Sequence, residues 1–203
     1  MKAETLTYAE EQACLYFEIG FAMTQWAHVE RSILDVIFAA QVTTNFNALG
    51  HGYFSIENFR SKLAFADEMI SKALSEPAHL DTWSKLLRRC RDTSKLRNAL
   101  AHYRMMGYPD EQVGRRYVLT PRLEKPGEAR KANGLITRAL GLKAIHDHRL
   151  RFFELFCDLD DFAHVLSGKT PRDGAPRAPA QRLEIVELRD SLRSMMRSGE
   201  PST

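Results

Sequence analysis

The chain of 203 residues carries 29 Lys and Arg against 26 Asp and Glu, a net charge of +3, with 44% hydrophobic and 27% charged residues. That is ordinary globular usage, which excludes wholesale disorder and collagen-like repeats and supplies enough apolar surface for one real core. No run approaches the roughly 18 apolar residues of a membrane span, and the first residues lack a charged-then-apolar leader. Cys14, Cys90 and Cys157 are scattered without C-x-x-C spacing, against a disulfide framework or a structural zinc site. The expectation is a cytoplasmic protein with no metal or cofactor, no membrane association and three thiols that serve as small buried hydrophobes.

The dominant period is helical. Leu15, Ile19, Ala22, Trp26, Val29, Ile33 and Ile37 recur at steps of three and four, the apolar stripe of one long helix. Thr7 with Glu10 gives it a capping-box start, and the polar run 45–47 with Gly50 and Gly52 ends it. A second helix is predicted from near Ser55, with Phe59, Leu63, Ala66, Ile70 and Ala73 inward and Pro77 beyond its end. A third is predicted from near Asp81, carrying Leu86, Cys90, Thr93, Leu96 and Leu100 and stopped by Gly107 and Pro109. A fourth runs from about Leu142 to Leu166, with Ile145, Phe152, Phe156, Leu159, Ala163 and Leu166 inward and Gly168 and Pro171 closing it.

Residues 107–141 are rich in Gly and Pro but contain one β-like run, Arg116-Tyr117-Val118-Leu119-Thr120, and read as a loop or short hairpin before the last core helix. Pro171, Gly174, Pro176 and Pro179 mark a flexible linker, followed by a short amphipathic segment through Ile185, Leu188, Leu192 and Met195. The fold class is therefore all-α, with a helical domain over residues 1–167 and a tail over 168–203.

Charge is unevenly spread. Residues 85–104 hold Lys85, Arg88, Arg89, Arg91, Lys95, Arg97 and Arg104 against Asp92 alone, a net +6. The first helix, residues 4–41, holds six acids against Arg31, a net −5, and residues 115–131 carry a net +4. A basic helix beside a basic loop suits a polyanion such as nucleic acid; the alternative is a basic helix packed against the acidic first one.

The sharpest local feature is Lys95-Leu96-Arg97-Asn98-Ala99-Leu100-Ala101-His102, late in the basic helix. Asn98 and His102 are four apart and share a face, whereas Arg97 is offset from His102 by about 140° and joins them only if its side chain curls round or the last turn near Tyr103 bends or frays. Arg is a permanently charged fork suited to phosphate oxygens, His moves protons near neutrality, and Asn orients a ring or a substrate oxygen. Such a set, without a carboxylate cluster, matches metal-free phosphodiester cleavage with the 2′-OH of RNA as nucleophile. One His does not easily act as base and acid together, so a two-fold dimer with both motif helices at the seam is expected.

Arg-(x)4-His with Asn directly after the Arg, at the end of a third helix, resembles the HEPN domain (higher eukaryote and prokaryote nucleotide-binding). Trp26-Ala27-His28-Val29-Glu30 is similar to segments of some HEPN-like bacterial proteins. The resemblance covers about residues 6–166 by helix order and implies a four-helix up-and-down bundle, often a homodimer. It also implies metal-independent RNA endonuclease activity of the kind found in toxin–antitoxin, phage-defence and RNA-processing systems, with an antitoxin or defence protein as a partner in some. It places the catalytic set on Arg97, Asn98 and His102. Arg88, Arg91, Lys95 and Arg104 are the candidate RNA-binding residues. Tyr103 follows the His directly and Arg104 stands where the tyrosine-modified toxin subgroup carries Tyr, so that subgroup's regulation is not implied. The rival expectation is a non-catalytic dimerisation module, or one that binds RNA or a nucleotide.

Glu30 is a candidate to hydrogen-bond Arg97 or His102, the alternative being a carboxylate on the bundle flank. His146-Asp147-His148 invites a metal reading, but i and i+2 diverge on a helix, and a solvated first turn is expected instead. His51, His79 and His164 read as structural, and Trp26 and Trp83 as core or dimer anchors. No P-loop, dinucleotide fingerprint or serine-hydrolase elbow is present in the sequence.

Overall fold

The computed structural model describes residues 8–40, 45–110, 114–121 and 139–169. Among the described residues, five helices and one hairpin succeed one another: α1 (Tyr8–Ala39), α2 (Phe46–Ser55), α3 (Phe59–Ala73), α4 (Pro77–His102), β1 (Arg104–Asp110), β2 (Gly114–Thr120) and α5 (Leu142–Leu166). The contacts divide into two compact units, and the chain passes between them inside α1 (after Met23), α4 (after Arg97) and α5 (after Leu150).

In the unit that begins at Thr24, α1 to α5 pack as a helical bundle around Trp26, Val29, Ile33, Ile37, Leu63, Ile70, Leu86, Phe152 and Leu159, all buried. Trp26 meets Phe59 edge-on at a centroid distance of 4.6 Å and Phe152 at 5.4 Å, so one indole joins α1, α3 and α5. Trp83 is also buried and donates its indole N–H to Asp67 Oδ1 at 3.1 Å, tying α4 to α3. Both tryptophans are core residues, and each spends its polar edge on a carboxylate.

The other unit contains α1 up to Met23, α4 from Asn98, the hairpin and α5 up to Leu150. β1 and β2 pair antiparallel, with Met105 opposite Leu119 and Gly107 opposite Tyr117. Residues two apart on a strand share a face; Tyr117 and Leu119 are both buried, and so is Thr120 at the end of β2. Leu119 is also bridged to Leu140 by two backbone hydrogen bonds of 2.9 and 2.8 Å. The Tyr117 backbone N–H donates to the Glu11 carboxylate at 2.9 Å, which fastens the hairpin to α1.

Several boundaries differ from the sequence expectation. α2 is an additional helix where a break was expected. Asn45 caps it by accepting from the Ala48 N–H at 3.1 Å, and with that cap the ten residues tolerate Gly50 and Gly52. α3 begins at Phe59, not Ser55, because Asn58 caps it through the Ser61 N–H at 2.8 Å. α4 begins four residues early, at Pro77, whose missing N–H is harmless in a first turn. Gly107 and Pro109 do not merely stop α4. They sit inside β1, where a two-stranded ribbon leaves outward positions that need no N–H donor.

α5 spans Leu142–Leu166 as expected and ends on Gly168 at φ 66°. The Gly168 N–H bonds Val165 O at 3.0 Å and the Lys169 N–H bonds His164 O at 3.0 Å. Cys14 and Cys90 are buried as expected, but Cys157 is half-buried, a correction to the view of three equivalent core thiols. Thr7 and the whole segment 170–203, including the linker and the stretch Ile185–Met195, lie outside the described residues. Among the described residues no helix is long and apolar enough to cross a membrane.

Candidate nucleic-acid interface

α4 carries the motif on its last turns, and its helical phase sorts the charged residues. With 88 at zero, residues 91, 95, 98 and 102 fall within an arc of about 80° at about 100° per residue, and the 14 steps from 88 to 102 rise about 21 Å. Arg88, Arg91, Lys95, Asn98 and His102 are all exposed. Arg88, Arg91 and Lys95 form a solvated stripe of cations in the unit that begins at Thr24, and Asn98 and His102 share a face on the last turns of α4. Arg104 is exposed too, at the first position of β1.

Arg97 lies off this stripe and is half-buried. A frayed last turn would have brought it nearer to His102, but the Tyr103 N–H still bonds the Ala99 carbonyl at 2.9 Å, so the helical pattern runs to the end of α4. Tyr103 is the single half-buried residue between α4 and β1. The structure thus brings Asn98 and His102 together and leaves Arg97 on the flank.

Much of the charge on α4 is locally compensated. Lys85 pairs with Asp81 at 2.6 Å and Lys95 with Asp92 at 2.8 Å on the helix itself. Arg89 pairs with Asp158 of α5, and Arg91 approaches Asp67 of α3 at 3.4 Å. The carboxylates of these pairs come from α3, α4 and α5, whereas the alternative reading of the charge run placed them on the acidic first helix. Lys95 and its hydrogen bond hold the Asp92 carboxyl below the usual carboxylate range. These pairs are largely exposed, and exposed pairs are weak, about 0–1 kcal/mol, so a stronger anion can exchange with them.

Glu30 is engaged elsewhere. Its Oε1 accepts from the Trp26 indole at 2.7 Å, and its Oε2 meets Lys62 Nζ at 2.8 Å. Lys62 is 9% exposed, and its ammonium lies 5.6 Å from the ring centres of both Tyr53 and Phe54. The Tyr53 hydroxyl donates to the Glu30 carbonyl at 3.0 Å, and burial pushes the Tyr53 phenol well above its usual range. Glu30 therefore anchors α2 and α3 to α1.

The His146-Asp147-His148 segment is not the solvated turn that was expected. Glu18, on the first part of α1, puts Oε1 at 3.1 Å from His146 Nδ1 and Oε2 at 2.8 Å from Arg149 Nε. Arg149 Nη2 lies 3.0 Å from the same His146 nitrogen, and its guanidinium stacks over Phe21 at 4.9 Å. His148 is buried. Sequence reasoning missed this network, although a signal was present: Glu18 falls at the inward phase between Leu15 and Ala22, and Arg149 between Ile145 and Phe152. Among the described residues no group of three or more His, Cys, Asp or Glu is placed to hold a metal ion.

Two clefts open in the unit beginning at Thr24, of about 320 Å³ beside Asp35, Asp160 and His164 and about 400 Å³ over Leu86, Phe162 and Val165. Desolvation raises the Asp35 carboxyl. Neither cleft is lined by the motif residues. Comparison with family models, curated proteins and solved structures returns no match.

Proposed function

We propose that the protein is a HEPN-like, metal-independent RNA endonuclease that acts as a homodimer. The observation that carries this is the exposed stripe of Arg88, Arg91 and Lys95 on α4; Asn98 and His102, on the last turns of the helix, are exposed as well. The cations receive successive phosphates of the strand. His102 takes the proton of the 2′-OH, whose oxygen attacks the adjacent phosphorus. The P–O2′ bond forms as the P–O5′ bond breaks, and the departing O5′ is protonated, leaving a 2′,3′-cyclic phosphate and a 5′-hydroxyl. Arg97, reaching from the flank, offsets charge growing on the phosphoryl oxygens, and Asn98 orients the imidazole or the substrate. The second imidazole, needed for protonating the leaving oxygen, comes from the other protomer in an up-and-down bundle dimer. A toxin or phage-defence role, with an antitoxin or defence partner, belongs to the same proposal.

The half-burial of Arg97 away from the stripe favours a second reading, in which the helix binds RNA without cutting it. One experiment separates the two. Cleavage of a fluorescent oligoribonucleotide is expected to survive EDTA and to fall by about 10²–10⁴-fold in His102→Ala, with circular dichroism and RNA affinity preserved. A single 2′-deoxy substitution at the cut site should block cleavage of an otherwise bound strand. Binding with no cleavage by the parent protein establishes the second reading, and strict metal dependence rejects the mechanism.

A further inference from the structure

Asp67 of α3 reaches α4 through both of its carboxylate oxygens. Its Oδ1 is fixed by the buried indole of Trp83 at 3.1 Å, and its Oδ2 faces Arg91 Nη2 at 3.4 Å, across a gap where Asp67 is 34% and Arg91 60% exposed. One carboxylate thus has a structural oxygen and an electrostatic oxygen. The first cannot leave without losing an α3–α4 hydrogen bond. The second is a long, solvated contact that a phosphate oxygen, able to meet the guanidinium at normal hydrogen-bond length, outcompetes. Lys95 has a different counter-ion, Asp92, which moves with the same helix and is 64% exposed. Asp67 is the fixed acid among the two.

We infer that Asp67 is a specificity-determining residue, a built-in counter-carboxylate that holds Arg91 until a polyphosphate strand displaces it. This rests on the proposal that the α4 stripe binds RNA. A ligand with one or two phosphates gains too little to release Arg91. A longer strand, already anchored at Arg88 and Lys95, delivers its next phosphate to Arg91 at high local concentration. Asp67 therefore sets a length threshold, discriminating against mononucleotides and short fragments in favour of oligonucleotides.

Asp67→Asn tests this cleanly, because the amide oxygen still accepts from Trp83 while the negative charge is gone. Binding is measured by fluorescence anisotropy for a 12-nucleotide RNA, a dinucleotide and long-chain inorganic polyphosphate, each between 50 and 300 mM salt. Asp67→Asn is expected to bind the dinucleotide and the 12-mer about two- to fivefold more tightly at low salt, the range of one exposed ion pair. The relative gain should be larger for the dinucleotide, because a long strand already displaces the carboxylate in the parent. Arg91→Gln should abolish the gain in the double variant, a coupling that a purely structural role of Asp67 does not produce. Equal affinities for parent and Asp67→Asn overturn the inference, as does a gain that persists with Arg91→Gln. If Asp67→Asn fails to fold, Asp67→Glu, which keeps the charge, must instead leave the dinucleotide-to-12-mer ratio at the parent value, and a shift in that ratio overturns it. Polyphosphate binding with the expected gain but no RNA binding rejects the RNA reading while keeping the counter-carboxylate. Binding of neither polymer overturns both.

Discussion

Glu18 Oε2 lies 2.8 Å from Arg149 Nε, with the two side chains only 1% and 2% exposed. Taking two charges out of water costs several kcal/mol each, and the pair returns that only while both members are present. Removing one partner strands the other in a nearly dry site. Glu18→Leu and Arg149→Met are each expected to destabilise the protein by about 3–5 kcal/mol. The double variant, with an apolar pair of similar volume, should recover most of that loss. Urea unfolding of the four proteins provides the cycle, and additive losses would show that the two side chains act independently.

The same pair shows where sequence reading succeeds and where it stops. Apolar periodicity located α1, α3, α4 and α5, because a helix that buries one face must repeat its apolar residues at three and four. It missed α2, since ten residues with two glycines carry a weak periodic signal and depend on the Asn45 cap. It gave no place to Lys62 or Arg149, counted Glu18 only among the acids of the first helix, and offered Glu30 as a partner of Arg97 or His102 or else a carboxylate on the bundle flank. Glu18, Glu30, Lys62 and Arg149 each interrupt an apolar stripe at an inward phase, and only the partner, 32 residues away for Glu30 and more than a hundred for Glu18, makes burial tolerable. A single helix wheel cannot see such a partner. The Asn98–His102 face was legible because it is local to one helix, whereas the half-burial of Arg97 depends on what packs beside it.

Cys90 is fully buried, and burial pushes its thiol up to about 12 from 9.0. The folded state therefore keeps its proton where the unfolded state has lost it, so stability is unaffected below about pH 9 and declines above it. The slope attributable to this one group is up to about 1.4 kcal/mol per pH unit between the two values. Cys90→Val should show a shallower alkaline loss than the parent in urea titrations at pH 8, 9 and 10. Ellman's reagent at pH 8 is expected to label Cys157 in the native protein, and Cys14 and Cys90 only after denaturant is added. Rapid native labelling of Cys90 would contradict its burial.

Two helix ends rest on single residues. Asn58 accepts from the Ser61 N–H, and Asn58→Ala should cost about 1 kcal/mol. Gly168 holds φ 66° with nothing within 4 Å of an added Cβ, so Gly168→Ala meets backbone strain without a clash and should cost about 1 kcal/mol. Both losses are read from thermal melts of the full chain. Unchanged melting of Asn58→Ala would mean that the cap contributes nothing beyond solvent.

The α4 stripe makes the most direct functional prediction. If Arg88, Arg91 and Lys95 each neutralise one phosphate of a single strand, each change to Gln lowers the slope of log K against log salt by about 0.7. Affinity should fall by a similar factor for all RNA sequences, because phosphate contacts carry no base information. Arg89→Gln, whose guanidinium lies off the stripe and is paired with Asp158 of α5, should leave the slope near the parent value. Anisotropy titrations at four salt concentrations measure all of this. The stripe is not the interface if Arg89→Gln lowers the slope as much as Arg88→Gln does, because the phase of α4 then has no bearing on where the strand lies.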